Sequence, residues 1–146
     1  MTEFTPRDPN FRERLLEQHK IQYGMHYIKA EMTSIEPGYV EFTMPYDKNL
    51  TQQNGYIHAG YLTTLADGAG GVAAATLVDA ETNILAIEFK VNFMNPGMGD
   101  KFIARGQVVK SGRTITVSRV DVFAVTGGEE KLIAIMQQTL INLKKE

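Results

Sequence analysis

The chain has 146 residues, 43% of them apolar and 22% charged, with no cysteine and a net charge of -2. That length fits one domain with a sizeable core, and that composition is far from disorder or coiled coil. The absence of thiols excludes disulfides, thiol nucleophiles and thiolate metal sites, and the small net charge offers no pull on nucleic acid or an anionic membrane.

Residues 1–10 contain Pro6 and Pro9 and read as a loose lead-in without a signal-peptide pattern. No apolar run reaches about 18 residues, so no membrane span is expected. With the missing cysteines, this fits a cytoplasmic protein. Residues 11–23 carry Phe11, Leu15 and Leu16 on one side and read as a surface helix ending at Gly24. Residues 25–33 and 38–44 read as two strands separated by the turn Glu36-Pro37-Gly38. In the second strand Val40, Phe42 and Met44 alternate with polar neighbours.

A polar connection, residues 45–57, leads into a long uncharged helix interrupted only by Asp67. Leu62, Leu65, Ala66, Ala69, Ala73, Thr76 and Leu77 recur at spacings of three and four, which predicts one buried face. Gly68, Gly70 and Gly71 each cost about 1 kcal/mol relative to Ala in a helix interior, so something must come close there. A second chain or a ligand is the expectation. Four strands follow. The first has Leu85, Ile87, Phe89, Val91 and Phe93 on one face and stops at Asn95-Pro96-Gly97. The others cover residues 101–110, 114–125 and 132–142, joined by the turns Ser111-Gly112-Arg113 and Thr126-Gly127-Gly128-Glu129. Helices followed by runs of strands predict an α+β fold with an antiparallel sheet, and strands of about 33 Å are long enough to wrap the apolar helix.

The chemistry centres on residues 52–76. His58 and Asp67 are nine residues apart, near opposite faces of a helix and about 13 Å apart along it, so one helix cannot pair them. They can meet if two copies of the helix approach, or if His58 precedes the helix and folds back. A solvated acid on a helix edge is the plain alternative for Asp67. A helix that starts near His58 presents the N–H groups of Ala59 and Gly60 to a developing oxyanion. His19, His26 and His58 lack metal-ligand spacing, and there is no phosphate-binding loop or Gly-x-Ser-x-Gly. Lys110, Arg113 and Arg119 are either a solvated rim or contacts for a ligand's phosphates.

Gly55-Tyr56-Ile57-His58-Ala59-Gly60 followed by Leu65-Ala66-Asp67 resembles the motif of the PaaI-like group of hotdog-fold acyl-CoA thioesterases, Gly-x-x-His-Gly-Gly with an acid nine residues after the His. Phe93-Met94-Asn95-Pro96 and Ser111-Gly112-Arg113 also look like that group, and the resemblance spans residues 24–143. It implies one hotdog domain over residues 1–146, with five or six antiparallel strands wrapped around one helix. It implies a homodimer or homotetramer that hydrolyses acyl-CoA thioesters without metal or cofactor, at sites shared between two protomers. In that scheme Asp67 of one protomer is general base or nucleophile. His58, Gln52 and the Ala59 N–H come from the other, and Asn54, Gly60, Thr64, Ser111 and Arg113 contact substrate. Two departures stand out. Ala59 replaces the first Gly after the His. Ala86 occupies the position where many members carry a Ser or Thr, so Thr63, Thr64 or a water would have to orient the acid. That gap leaves a non-catalytic acyl-CoA-binding or sensing protein as the rival reading. A hotdog dehydratase lacks its usual motifs here, and a purely structural role leaves Asp67 and the three glycines without a reason.

Overall fold

Alternating apolar residues assemble six strands into one antiparallel sheet in the order β1-β2-β4-β5-β6-β3, as seen in a computed structural model that describes residues 3–146. The first two residues of the expected lead-in lie outside the described residues. The elements run α1 (Phe11–His19), α2 (Tyr23–Tyr27), β1 (Glu31–Glu36), β2 (Tyr39–Pro45), a 3-10 turn (Lys48–Leu50), α3 (Ala59–Ala75), β3 (Thr82–Phe93), β4 (Lys101–Ser111), β5 (Ile115–Thr126) and β6 (Glu129–Lys144). No helix among the described residues is long and apolar enough to cross a membrane.

Helix α3 lies against β2 to β6, so the sheet wraps the helix as expected. Its predicted face is buried: Leu65, Ala66, Ala69, Ala73 and Thr76 are fully inaccessible. Val40, Phe42 and Met44 of β2 are equally inaccessible, with the predicted period of two. The closest helix–sheet approach is at Gly106 of β4. A Cβ there would overlap the Ala69 carbonyl and the Gly70 nitrogen. The β5–β6 turn also follows its sequence, with Gly127 and Gly128 at φ +57° and +83°.

Four expectations are corrected. The single helix over residues 11–23 is two helices, and Gly24 lies inside the second rather than ending the first. The strand expected from Met25 starts only at Glu31. Burial explains the second helix: Met25 and Ile28, three residues apart, face inward, and Met25 packs onto Gly68. The helix then ends in a Schellman motif, with Ala30 N–H on the Met25 carbonyl and Lys29 N–H on the His26 carbonyl, both 2.9 Å. Lys29 takes the left-handed position at φ 55° that glycine usually fills, so no glycine marks the stop.

The alternation of β3 is also broken. Ala86 pairs with Leu140 and Glu88 with Thr139, so Ile87 is the extra residue of a β-bulge. Paired residues point to the same side of a sheet. Ala86 therefore shares the inner face with Phe89, Val91 and Phe93, and Leu85 faces outward. Fourth, β6 extends beyond residues 132–142 at both ends. Strand β3 is the sheet's edge on that side, and Leu85 and Ile87 are 54% and 55% exposed.

The Gly106 contact yields a test. A Gly106→Ala substitution drives its methyl into helix backbone that cannot move aside, and should cost about 2–3 kcal/mol. Urea unfolding is expected to show a lower midpoint at unchanged m-value. A wild-type midpoint would mean that α3 does not lie this close to β4.

Candidate active site

The segment before α3 is held by its own backbone. Gln52 N–H donates to the Tyr56 carbonyl at 2.8 Å, and Ile57 N–H to Gly97 at 2.9 Å. His58 N–H donates to Leu50 at 2.8 Å. Gly55 at φ +82° makes the turn, and the Tyr46 hydroxyl donates to its carbonyl at 3.1 Å. Helix α3 starts directly after His58, which is its N-cap. The His58 Nδ1 accepts from Gly60 N–H at 3.1 Å. An Nδ1 that accepts is unprotonated, so the neutral ring carries its proton on Nε2.

This cap changes the expected oxyanion donors. Gly60 N–H is used by His58, whereas Ala59 N–H has no acceptor among the described residues. The Ala59 N–H is therefore free to donate, and the Gly60 N–H is occupied within the chain. Gln52 uses its side-chain oxygen to accept the Asn54 N–H, which leaves its amide nitrogen as a donor for something else. Asn54 thus serves the loop through its backbone, and its side chain is exposed. The hydroxyls of Thr63 and Thr64 turn back onto the helix, at 2.8 Å to the Ala59 carbonyl and 3.0 Å to the Gly60 carbonyl. Neither hydroxyl bonds to Asp67, so Thr63 and Thr64 do not stand in for the missing strand hydroxyl.

Asp67 lies further along the helix and is half-buried. It faces a groove of about 540 Å³ between α1, α3 and β3. Ala86 lines this groove, together with Leu15, Ile21, Val72, Ile84 and Leu140. One carboxylate oxygen accepts from the side-chain amide of Gln138. No cation bonds to Asp67 among the described residues. Arg14, the other charged side chain on the groove, is taken by Asp8 at 2.7 Å and by the carbonyls of Ala75 and Val78. Burial pushes the Asp67 carboxyl above its ordinary 3.8, and the Gln138 amide opposes that rise.

Gln138 was missed from the sequence, as was Ser118, whose hydroxyl donates to the Gln138 side-chain oxygen at 3.2 Å. Both are fully buried. They also correct the account of the glycines. At Gly70 a Cβ would collide with the Gln138 oxygen and lie 2.8 Å from Ser118 Oγ. At Gly68 it would strike Met25. Both glycines are filled from the same chain, and Gly71 is the one left open on the groove.

The remaining predicted residues are scattered. One protomer brings Gln52, Asn54, His58 and Ala59 together at the start of α3 and sets Asp67 apart, with no hydrogen bond between His58 and Asp67. Ser111 and Arg113 lie where β4 ends. The Arg113 carbonyl accepts from Asn142, Arg113 is exposed, and neither residue lines the Asp67 groove. Arg119 of the possible cationic rim donates to Asp121 at 3.0 Å.

Comparison with known proteins points one way. Residues 54–131 match the thioesterase superfamily. The chain is similar to a 1,4-dihydroxy-2-naphthoyl-CoA hydrolase of Listeria monocytogenes, 24% identical over 81% of this chain and 94% of the relative. Among solved structures it is similar to a thioesterase family protein from Silicibacter pomeroyi. That likeness is 42% identical, with TM-score 0.90, over 92% of this chain and 98% of the other. The PaaI protein of E. coli, 18% identical with TM-score 0.84 over 93% and 95%, shares the fold.

The raised carboxyl of Asp67 has a sign that can be measured. Folding favours its protonated form, so its stabilising contribution is full below 3.8 and is lost as pH rises through the folded value. Asp8, Asp47, Asp79 and Glu130 are lowered instead and act oppositely, so the test is a difference. The urea midpoint of Asp67→Asn should gain on wild type as pH rises from ~3 to ~6. A difference that stays flat across that window would contradict the burial assigned to Asp67.

Proposed function

The chain belongs to the thioesterase superfamily, and on that premise we propose that it hydrolyses acyl-CoA thioesters to free acid and CoA at a site shared by two copies of the chain. The observation that carries this reading is Asp67, a half-buried carboxylate on an open groove, bound by a neutral amide and by no cation. A structural acid in that position would be expected to carry a counter-ion.

The second support is distance. The free N–H of Ala59 and the free amide nitrogen of Gln52 sit at the start of α3, and Asp67 lies about two turns further on. Acid and oxyanion donors separated in this way require a second chain to face each other across one thioester. The edge strand β3 offers the seam. It is twelve residues long and unpaired on its outer side among the described residues, the kind of edge another strand completes. We take the assembly to be a homodimer joined there, or a homotetramer of two such dimers.

In the mechanism, the acyl group lies in the groove with its carbonyl carbon near Asp67. Asp67 removes a proton from an attacking water, or attacks the carbonyl itself to give an anhydride that water then opens. In either route the carbonyl oxygen becomes an oxyanion, stabilised by Ala59 N–H and the Gln52 amide of the other copy. Collapse breaks the carbon–sulfur bond and releases CoA as its thiolate. His58 holds the donor loop by capping α3, and its Nε2–H remains available to the carbonyl. The rival reading, a non-catalytic binding protein, rested on Ala86. It loses that support because Asp67 is already oriented from β6 by Gln138.

Asp67→Asn separates these readings. It should fold normally, bind acyl-CoA with little change and lose turnover by roughly 10³-fold in a thiol-release assay over an acyl-CoA panel. Wild-type turnover in that variant would overturn the assignment. Tight binding without thiol release by the wild type would favour the binding protein.

A further inference from the structure

The inner face of the sheet along β5 and β6 is mostly apolar, and among its few buried polar residues Ser118 and Gln138 form a pair whose Gln138 end touches Asp67. We propose that Gln138 is the positioning residue for the Asp67 carboxylate, and that Ser118 anchors the Gln138 amide by donating to its oxygen. The proposal rests on the catalytic reading of Asp67 given above and adds residues that reading does not supply.

The argument begins with cost. Gln138 and Ser118 are fully inaccessible, and a buried amide or hydroxyl is tolerated only when its partners are met. Here they are met in a directed chain. Ser118 Oγ–H donates to Gln138 Oε1, and Gln138 Nε2–H donates to Asp67 Oδ1. An amide can rotate and exchange its oxygen for its nitrogen. The ionised carboxylate, which can only accept, blocks that exchange, and the Ser118 hydroxyl donates to the oxygen left on the far side. With the oxygen turned the other way, a lone pair would face the carboxylate. Gly70 belongs to the same device, since any side chain there would occupy the space of the Gln138 oxygen. Two strands and one helical glycine are thus committed to one carboxylate oxygen.

Directed donation does two things. It holds one oxygen, so the other is presented to the groove in a fixed orientation. It also favours the charged form against the burial that disfavours it. The charged groups facing Asp67 are few. Arg14 from α1 lines the groove but is engaged by Asp8. The inner-face residues of β3 on the groove, Thr82, Ile84 and Ala86, carry no charge, and neither does Met25 of α2 over Gly68. Gln138 is therefore the polar side chain that tunes this acid.

The test compares Ser118→Ala, Gln138→Glu and the double variant Ser118→Ala/Gln138→Leu with wild type and Asp67→Asn. Gln138→Leu alone would strand the Ser118 hydroxyl in the core and risk unfolding, and the double variant removes that hydroxyl as well. Each is assayed on the best substrate of a panel from acetyl- to palmitoyl-CoA that includes benzoyl-CoA, with kcat and KM measured from pH 4 to pH 9. The double variant should lose kcat about 10- to 100-fold with KM within about twofold. The acid limb of its kcat profile should move up by roughly one pH unit, because the carboxylate has lost its donor. Gln138→Glu should move that limb further, since two carboxyls then share a proton. Ser118→Ala should shift it in the same direction by less. A double variant with wild-type kcat and an unmoved acid limb, while Asp67→Asn is inactive, overturns this proposal and leaves the catalytic reading intact. An active Asp67→Asn overturns both. A loss of activity that follows the thermal midpoint and leaves the acid limb in place assigns the pair a structural role only, which also overturns it.

Discussion

The backbone of α3 lies on the sheet at Gly106, and much of the site depends on that separation. Gly106 carries nothing that would hold the helix off β4, and Gly70 carries nothing that would hold it off β5 and β6. Without these two glycines the helix would ride higher. The Gln138 amide would then fall short of Asp67, and the chain from Ser118 to the carboxylate would open. Each helical glycine costs about 1 kcal/mol in propensity, a cost offset by the apolar burial that a close helix allows. The small residues of this helix therefore serve the protein's own interior first. Met25 of α2 closes over Gly68 in the same way, so the short helix that sequence reading took for a strand is part of the same packing.

Helix closeness also accounts for the state of Asp67. Lying against the sheet half-buries the carboxyl, which raises its proton affinity. A cation would reverse that effect, but it would also hold the acid in an ion pair and leave it a weaker base. A neutral amide is the milder counterweight. It donates one hydrogen bond, orients the group and leaves its basicity nearer the range useful for proton removal. The same logic explains why the nearest cation, Arg14, is tied to Asp8 and to the carbonyls of Ala75 and Val78. The carbonyl end of α3 draws Arg14 away from Asp67.

Much of this was legible in the sequence, because the signals were periodic. The buried faces of α3 and β2, the strand order and the turn at Gly127-Gly128 all follow from spacings of three to four, from alternation and from glycine at positive φ. Gln52, His58 and Asp67 were singled out by resemblance to a motif and not by any periodic signal. What was lost depended on partners distant in sequence or on rule-breaking residues. Lys29 takes a left-handed turn without being glycine, so the end of α2 was invisible. Ile87 is bulged, so counting by twos along β3 put Leu85 on the wrong face. Gln138 had a signal that went unread. Ala134, Met136 and Leu140 make an inward apolar row at every second position, and Gln138 interrupts it. A polar residue at an inward position of a core strand calls for a buried partner, and the nearest unexplained buried polar group in this fold is Asp67.

The donor loop bears on the proposed two-chain site. His58 caps its own helix, and that cap occupies Gly60 N–H while leaving Ala59 N–H free. Gln52 turns its oxygen inward to Asn54 and leaves its nitrogen outward. Both free donors thus point away from the bonds that hold the loop together. Nothing in the same chain accepts them among the described residues, and Asp67 is about 12 Å further along a rigid helix. A rigid element cannot bend to bring its first turn onto its third. In the function we propose, the thioester lies between the first turn of one helix and the third turn of another, the arrangement that pairing through β3 would provide.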